Sequence, residues 1–567
     1  MIRRLALVAS LVSVALACKH DAPPAPHAAS EPPVPAPPTL IAEGTLRDPD
    51  AFWGRLRKGG GEAFARTPET AAGVILSQAG VDPALAPLVS GSLPFCFAVG
   101  DGPDGIGFAI AMKLGDVQAL RSTLVESDAA RFRGEEVQGM IRLLPRDGAA
   151  PIPRLAVAVT WSGYLVVASS ASELGSLGAY AARTVPTKPL PKSAFELRVD
   201  PAALGPAGKK APELAASATG ILAATARGLL PAEVDASTLA ACFTPGLRDT
   251  AAMTGDLAEV RLDADVDDAQ LDVVATLVPK AGDSGARKKL ASMHPASAAP
   301  LLDAPRDAVA ALFWSDTAQL RVDDASALGP CLGHALSPIL GVGGGPRLAD
   351  LWASWARGRG DWQTASFVAK SPAAGLVVRA PVADGSVAAS TVRGFVDLAS
   401  QPPVADAIAG LLPLRANAAN AANAVESFDA PRVGKAQVVM FPGHPAFSRG
   451  LGDAPEPGPV LAPPGVAWAV DAKEADIGIG QSPRDLLGLA RPPTAWRTLA
   501  SVEHAVGALG ADACFAAVVA PGGCCAGEGP ASAPLTLGWG RRADEGRLSL
   551  VIGDELLGQL VVRATSP

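Results

Sequence analysis

Leu155-Ala156-Val157-Ala158-Val159-Thr160, then Trp161-Ser162-Gly163, then Tyr164-Leu165-Val166-Val167-Ala168 is the stretch that sets the fold class. Two short apolar runs rich in valine flank a three-residue turn ending in Gly, which predicts an antiparallel hairpin. Ser170 or Ser172 follows where an N-cap is wanted, ahead of a helical stretch over Glu173–Arg183. A hairpin feeding a helix is the unit that recurs along the chain.

Working outward, Phe95–Val99 and Ile106–Met112 flank the turn Gly100-Asp101-Gly102-Pro103-Asp104-Gly105, with a helix expected over Asp116–Ser127. Leu257–Val266 and Gln270–Val278 precede a helix over Ser284–Met293, and Thr364–Lys370 and Gly375–Pro381 precede Gly385–Ser400. Lys435–Met440, Gly465–Asp471 and Ala475–Gly480 lead to a helix opened by Ser482-Pro483, and Cys514–Val519, Leu535–Trp539 and Leu548–Val551 read as a closing sheet. A strand-to-helix junction built around an Asp appears three times, at Leu46–Phe52, Arg198–Leu204 and Trp314–Leu320. In each, Asp48, Asp200 or Asp316 is placed to cap the helix, and Pro49 or Pro201 takes the first helical position in two of them. The pattern predicts an α+β protein of internally repeated modules, with mostly antiparallel sheets and helices packed on one face. The expected divisions are a signal peptide over 1–17, a Pro/Ala-rich tether over 18–39, and modules over 40–190, 191–305 and 306–567.

The chain has 567 residues, 49% of them hydrophobic and 18% charged, enough for several packed modules. Its net charge of −8 supplies no broad basic field, which argues against nucleic acid as a partner. Six histidines, none at paired metal-ligand spacing, leave little material for a metal centre or a general base.

The first eighteen residues carry the strongest functional signal. Arg3 and Arg4 form a charged start, an apolar run reaches from Leu5 to Leu16, and Ala17-Cys18 closes it. The run is too short for a membrane span of about 20 residues and suits a secretory signal. The segment resembles the bacterial lipoprotein signal, in which the cysteine is diacylated and becomes the mature N-terminus. That resemblance implies lipidation at Cys18 and a membrane partner through the anchor. Ala15-Leu16-Ala17 also satisfies ordinary signal peptidase, so a soluble periplasmic product is the alternative. Lys19 rather than Asp follows the cysteine, which by the enteric sorting rule implies the outer membrane over the inner. Pro23, Pro24, Pro26, Pro32, Pro33, Pro35, Pro37 and Pro38 make the next segment an extended spacer. The body as a whole resembles duplicated lipoproteins of unknown function from GC-rich bacteria.

Acylation of Cys18 leaves six cysteines for an oxidising compartment. Cys514 could bridge Cys524 or Cys525 across the Pro521-Gly522-Gly523 turn, whereas pairing among Cys96, Cys242 and Cys331 does not follow from the sequence. Asp263, Asp265, Asp267, Asp268 and Asp272 fail the calcium-loop pattern, because Asp268 replaces the turn glycine, and read as the wet face of a strand. Cys331-Leu332-Gly333-His334 lacks a second pair for zinc, Gly341–Pro346 lacks a P-loop lysine, and Arg359-Gly360-Asp361 is too short a motif to carry weight. No serine-elbow, Ser-x-x-Lys or His-Glu-x-x-His signature is present. We therefore expect no catalytic residues, no cofactor and no metal. Trp352 and Trp355, one helical turn apart, with Trp362 nearby, are the first place to look for a ligand surface. The expected function is an exported, lipid-anchored envelope protein, non-catalytic, with a binding or structural role toward an envelope protein. A carrier of lipid or another hydrophobic ligand is the alternative, and an unrecognised envelope hydrolase the next.

Overall fold

A computed structural model describes residues 31–567 except 61–63, 65–66, 82, 103–104, 117–131, 138, 147–154, 204–215, 218, 221–222, 225–233, 268–269, 342, 369–373, 402–403, 405–424, 441–463, 493–494, 521–533, 554–555 and 558–567. Cys18, Cys524, Cys525, His444 and most of the helix expected over Asp116–Ser127 lie outside the described residues. The chain divides into two compact units, one of Met1–Pro206, Leu257–Pro279 and Ser549–Pro567, the other of Ala207–Asp256 and Lys280–Leu548.

The first unit contains β1 (Leu40–Leu46), β2 (Phe95–Gly102), β3 (Gly105–Lys113), β4 (Phe132–Val137), β5 (Met140–Pro145), β6 (Ala156–Thr160), β7 (Tyr164–Ala168), β8 (Phe195–Val199), β9 (Leu257–Val266) and β10 (Gln270–Pro279). All pairings are antiparallel, and the strands lie in the order β4-β5-β6-β7-β3-β2-β1-β8-β9-β10. Helices α1 (Pro49–Gly60) and α2 (Ala71–Ala79) follow β1, and α3 (Ala171–Glu173) runs through a π turn, Leu174–Gly178, into α4 (Ala179–Arg183). Ser170 caps this rod by accepting the Glu173 N–H at 3.2 Å.

Helices cover both faces of this sheet, not the one face expected. Phe95, Ile110, Met112, Leu165 and Val167 pack with Phe52, Leu56 and Leu76 of α1 and α2. Their chain neighbours Cys96, Ala109, Ala111, Val166 and Ala168 point the other way, onto Leu174, Leu177 and Ala181 of the rod. Small residues on that second face let the rod approach the strands closely. The sequence sign is the unbroken apolar run of Phe95–Val99 and Leu165–Ala168, which marks strands buried on both sides.

The second unit contains α5 (Ala236–Ala241), α6 (Thr244–Met253), α7 (Gly285–Ser292), β11 (Ala308–Ser315), α8 (Ala318–Ala335), α9 (Ser337–Leu340), α10 (Gly344–Gly358), β12 (Trp362–Val368), β13 (Gly375–Pro381), α11 (Gly385–Ala399), β14 (Glu426–Ala430), β15 (Gly434–Met440), β16 (Pro464–Val470), β17 (Glu474–Gln481), α12 (Pro483–Gly488), α13 (Ala500–Leu509), β18 (Ala513–Val519), β19 (Leu535–Arg542) and the start of β20 (Glu545–Gly553). Its order is β14-β15-β16-β17-β13-β12-β11-β18-β19-β20. Each strand thus occupies the place held by the strand ten earlier in the first unit. Here too adjacent residues part to opposite sides, Val466 and Trp468 toward α11 and Ala467 and Ala469 toward α12.

The three expected modules do not coincide with this division. The boundary expected at residue 191 falls just before β8, which pairs with β1 inside the first unit through Leu46↔Phe195 and Ala42↔Val199. The strand-to-Asp junctions also differ from one another. Asp48 accepts the Ala51 N–H at the start of α1, and Asp200 accepts the Ala202 N–H in a turn. At the third junction Thr317, not Asp316, caps the helix by accepting from Leu320.

Burial pushes the Asp48 carboxyl up from 3.8 to about 6, with Asp50 adding repulsion. A raised carboxyl makes the folded state hold a proton that the unfolded chain releases, so stability falls as pH rises from about 4 through about 6. Asp48→Asn keeps the cap acceptor and removes the charge. The variant should melt above the parent at pH 7.5, and the two melting curves should converge below pH 4.

The end of the expected tether is not a free spacer. Thr184 Oγ1 accepts the Val34 N–H at 2.9 Å and donates to the Val34 carbonyl at 2.6 Å. Arg183 pairs with Glu31 at 3.2 Å and donates to the Pro32 carbonyl, while Glu31 accepts the Ser162 N–H at 3.1 Å. Val34 and Leu40 pack beside the rod. Residues 31–38 are therefore laid down on the first unit, fixed by the two side chains in the Pro tract able to pair or pack, Glu31 and Val34.

Candidate functional site

A concavity opens in the second unit, among α8, α9 and α10. Gly329 and Gly333 on α8 meet Ala349 and Gly345 on α10 across nearly bare backbone. A Cβ on Gly333 would stand 2.3 Å from the Gly345 carbonyl oxygen, and one on Gly345 would stand 2.6 Å from that of Gly333. The small-x-x-x-small spacing on both helices permits this approach, and Gly341 and Gly343, at φ 68° and 80°, let the connection turn back. Beside the crossing opens a cavity of about 750 Å³, lined by Pro330, Gly333, His334, Ser337, Gly345 and Asp350 among others. Its volume falls in the range of small-molecule sites. Apolar backbone and proline dominate the wall, and His334, Ser337 and Asp350 are exposed at it. Such a wall can hold an apolar group and orient it with a few polar contacts. Among its described residues it carries no buried nucleophile.

The same helix pair is tied to the preceding segment by a disulfide between Cys242 and Cys331, with Cα atoms 5.6 Å apart. Cys96 is a buried free thiol raised to about 12 by burial, and Cys514 is also a free thiol, raised to about 11 by the same cause. Neither has thiolate character at neutral pH. The expected partners of Cys514 lie outside the described residues.

The three tryptophans do not form one surface. Trp355 is buried with Ala380, Val392, Val396 and Trp468, and its Nε1 donates to Gln363 Oε1 at 3.1 Å. Trp362 packs on a different cluster that includes Phe313 and Trp496. Trp352 alone of the three is exposed.

Of Arg359-Gly360-Asp361, the arginine is buried and the Asp361 carboxylate is largely exposed. Arg359 and Arg321 are only 6% and 4% exposed. Arg359 donates to Asp316 Oδ2 at 2.5 Å, and Arg321 donates to Asp316 Oδ1 at 3.2 Å, Asp361 Oδ1 at 3.2 Å and the Ala356 carbonyl at 3.0 Å. Two guanidiniums and two carboxylates thus join the end of β11, α8, the end of α10 and the start of β12. Burial lowers the pKa of Arg359, with Asp316 opposing.

A second ionic cluster surrounds Asp476 on β17, which is fully buried. Arg491 reaches Asp476 Oδ2 at 2.9 Å and Glu474 at 3.1 Å, and Arg379 bridges Glu474 at 2.7 Å and Asp303 at 2.9 Å. Burial pushes the Asp476 carboxyl up against the attraction of both arginines. The void beside Arg379 and Asp303 is about 10 Å³, room for one water at most. This cluster ties elements together and leaves no space for a substrate.

Among the described residues no group of three or more His, Cys, Asp or Glu could hold a metal ion. Asp263 and Asp265 lie on β9 and are held by Ser193, Arg261 and the Ala194 N–H. His504 sits on α13. Sequence reasoning passed over the glycine crossing and the cavity beside it, although Gly329-x-x-x-Gly333 and Gly345-x-x-x-Ala349 were visible as paired spacings. The chain matches no protein-family model, no curated protein and no solved structure.

Proposed function

We propose that this chain is an exported, lipid-anchored protein of the cell envelope, without catalytic activity, that serves a binding or structural role. The observation that carries the reading is Cys18 standing after Arg3-Arg4 and the apolar run Leu5–Leu16, and before a proline-rich tract. The Cys242–Cys331 bridge supports it independently, because structural disulfides persist in oxidising compartments. Lys19 favours the outer membrane. We further infer that the body is internally repeated as two copies, a reading supported by the shared strand order of the two units. In cell fractionation the native protein should sediment with membranes, and Cys18→Ala should appear in the soluble fraction. Unchanged sedimentation of the variant would remove the reading.

The carrier alternative draws support from the cavity of about 750 Å³. It places the ligand among helices α8, α9 and α10. Native mass spectrometry of the purified protein would then find a bound hydrophobic molecule, lost on Gly345→Leu.

A further inference from the structure

The docked segment 31–38 determines which part of the first unit leads toward Cys18. Glu31 is fixed between Arg183 and the Ser162 N–H. Ser162 is in the turn between β6 and β7, so the chain departs from that end of the sheet. Twelve residues, 19–30, separate Cys18 from Glu31. Thirteen residue steps reach about 45 Å at most, so a bilayer that holds Cys18 stays within that distance of this end.

The same end gathers the exposed apolar side chains of the unit. Of the four large hydrophobic side chains that its described residues expose, Leu93, Trp161 and Leu190 are here, at 41%, 50% and 57%, and only Ile106 is at the other end. The register places them. Phe95 pairs with Met112 and Lys113 with Tyr164, which puts Leu93 and the Trp161 turn at one edge. Leu46 pairs with Phe195, and Arg47 donates to the Lys192 carbonyl at 2.9 Å, which brings Leu190 to the same edge. From the β6–β7 turn to β8 the edge crosses strands spaced about 4.8 Å apart, so the three side chains span roughly 20 Å. Trp at a hairpin tip, with two leucines farther along the same edge, suits the region between headgroups and acyl chains, where the amphipathic indole ring is favoured. Asp263 and Asp265 stand at this edge together with Arg47, Lys113 and Arg183, a mixed-sign set, so apolar insertion rather than net attraction to anionic lipid makes the contact.

Resting on the lipid-anchored reading, we propose that the end of the first unit bearing Trp161, Leu93 and Leu190 lies in the interface of the bilayer that holds Cys18. The test uses the full-length acylated protein in phosphatidylcholine vesicles brominated in the upper acyl chains. Co-flotation with the vesicles reads the anchor, and quenching of tryptophan emission reads the face. The native protein should float and lose part of its emission. Trp161→Phe should float equally and lose most of the quenchable component, whereas Trp352→Phe, on the second unit, should retain it. Flotation with quenching unchanged in Trp161→Phe overturns the face while the anchor stands. Failure of the native protein to float overturns both. Leu93→Glu with Leu190→Glu gives a second check, and should reduce Trp161 quenching with flotation intact; quenching equal to that of the parent would contradict the proposal.

Discussion

Asp316→Ala should destabilise the second unit by about 3–5 kcal/mol, the cost of leaving buried charge uncompensated. The side chains of Arg321 and Arg359 are 3% and 7% exposed, and Asp316 faces both of them. Asp361 cannot take over, because its carboxylate is 65% exposed and contacts Arg321 from the surface side. Loss of Asp316 therefore strands Arg359 above all, which keeps an acceptor in the Gly360 carbonyl at 3.2 Å. The cluster joins four elements, so the damage should spread to the α8–α10 crossing. Urea unfolding followed through tryptophan emission should show the midpoint of one transition fall sharply. A change below about 1 kcal/mol, the range of a surface pair, would show that the cluster is solvated and the geometry wrong. Asp361→Ala is the internal comparison and should cost far less, since that carboxylate is already largely in water.

The second large effect concerns the Cys242–Cys331 bridge. It spans 89 positions of sequence, for which the chain-entropy account gives about 4–5 kcal/mol of stabilisation through the unfolded state. The bridge also holds α5 and α6 to α8. Cys242→Ser with Cys331→Ser should lower the melting temperature, and limited proteolysis should then cut between residues 207 and 256 before it cuts elsewhere. The parent treated with reductant should show the same early cleavage, while an unaltered digestion pattern would mean that packing alone secures this segment.

Local grammar made much of the fold legible. The hairpins at Leu155–Ala168, Leu257–Pro279 and Phe95–Lys113 are written in apolar runs broken by Gly, Asp or Ser turns, and the structure places strands there. Helix starts at Ser170, Ser284 and Asp384 follow from side chains that can accept orphan N–H groups. What a local reading lacks is pairing. Val199-Asp200-Pro201 repeats the grammar of Leu46-Arg47-Asp48-Pro49, so it looks like the start of a module, yet β8 closes against β1. The disulfide is non-local for the same reason. The second helical layer was present as unbroken apolar strands, and the alternation expected of a one-faced sheet was absent from Phe95–Val99. At the candidate sites, side-chain type misled in a consistent direction. Trp355 and Arg359 of the Arg-Gly-Asp tripeptide carry chemistry suited to binding, but burial gives them structural partners. The cavity, in contrast, is made by residues with almost no side chain, which only their spacing betrays.

The lipid anchor is most directly tested by the mass of the N-terminal peptide of the mature protein isolated from membranes. The account predicts a chain beginning at Cys18 with a diacylglyceryl group on its sulfur. A mature chain that begins at Cys18 or later and carries no lipid would contradict it.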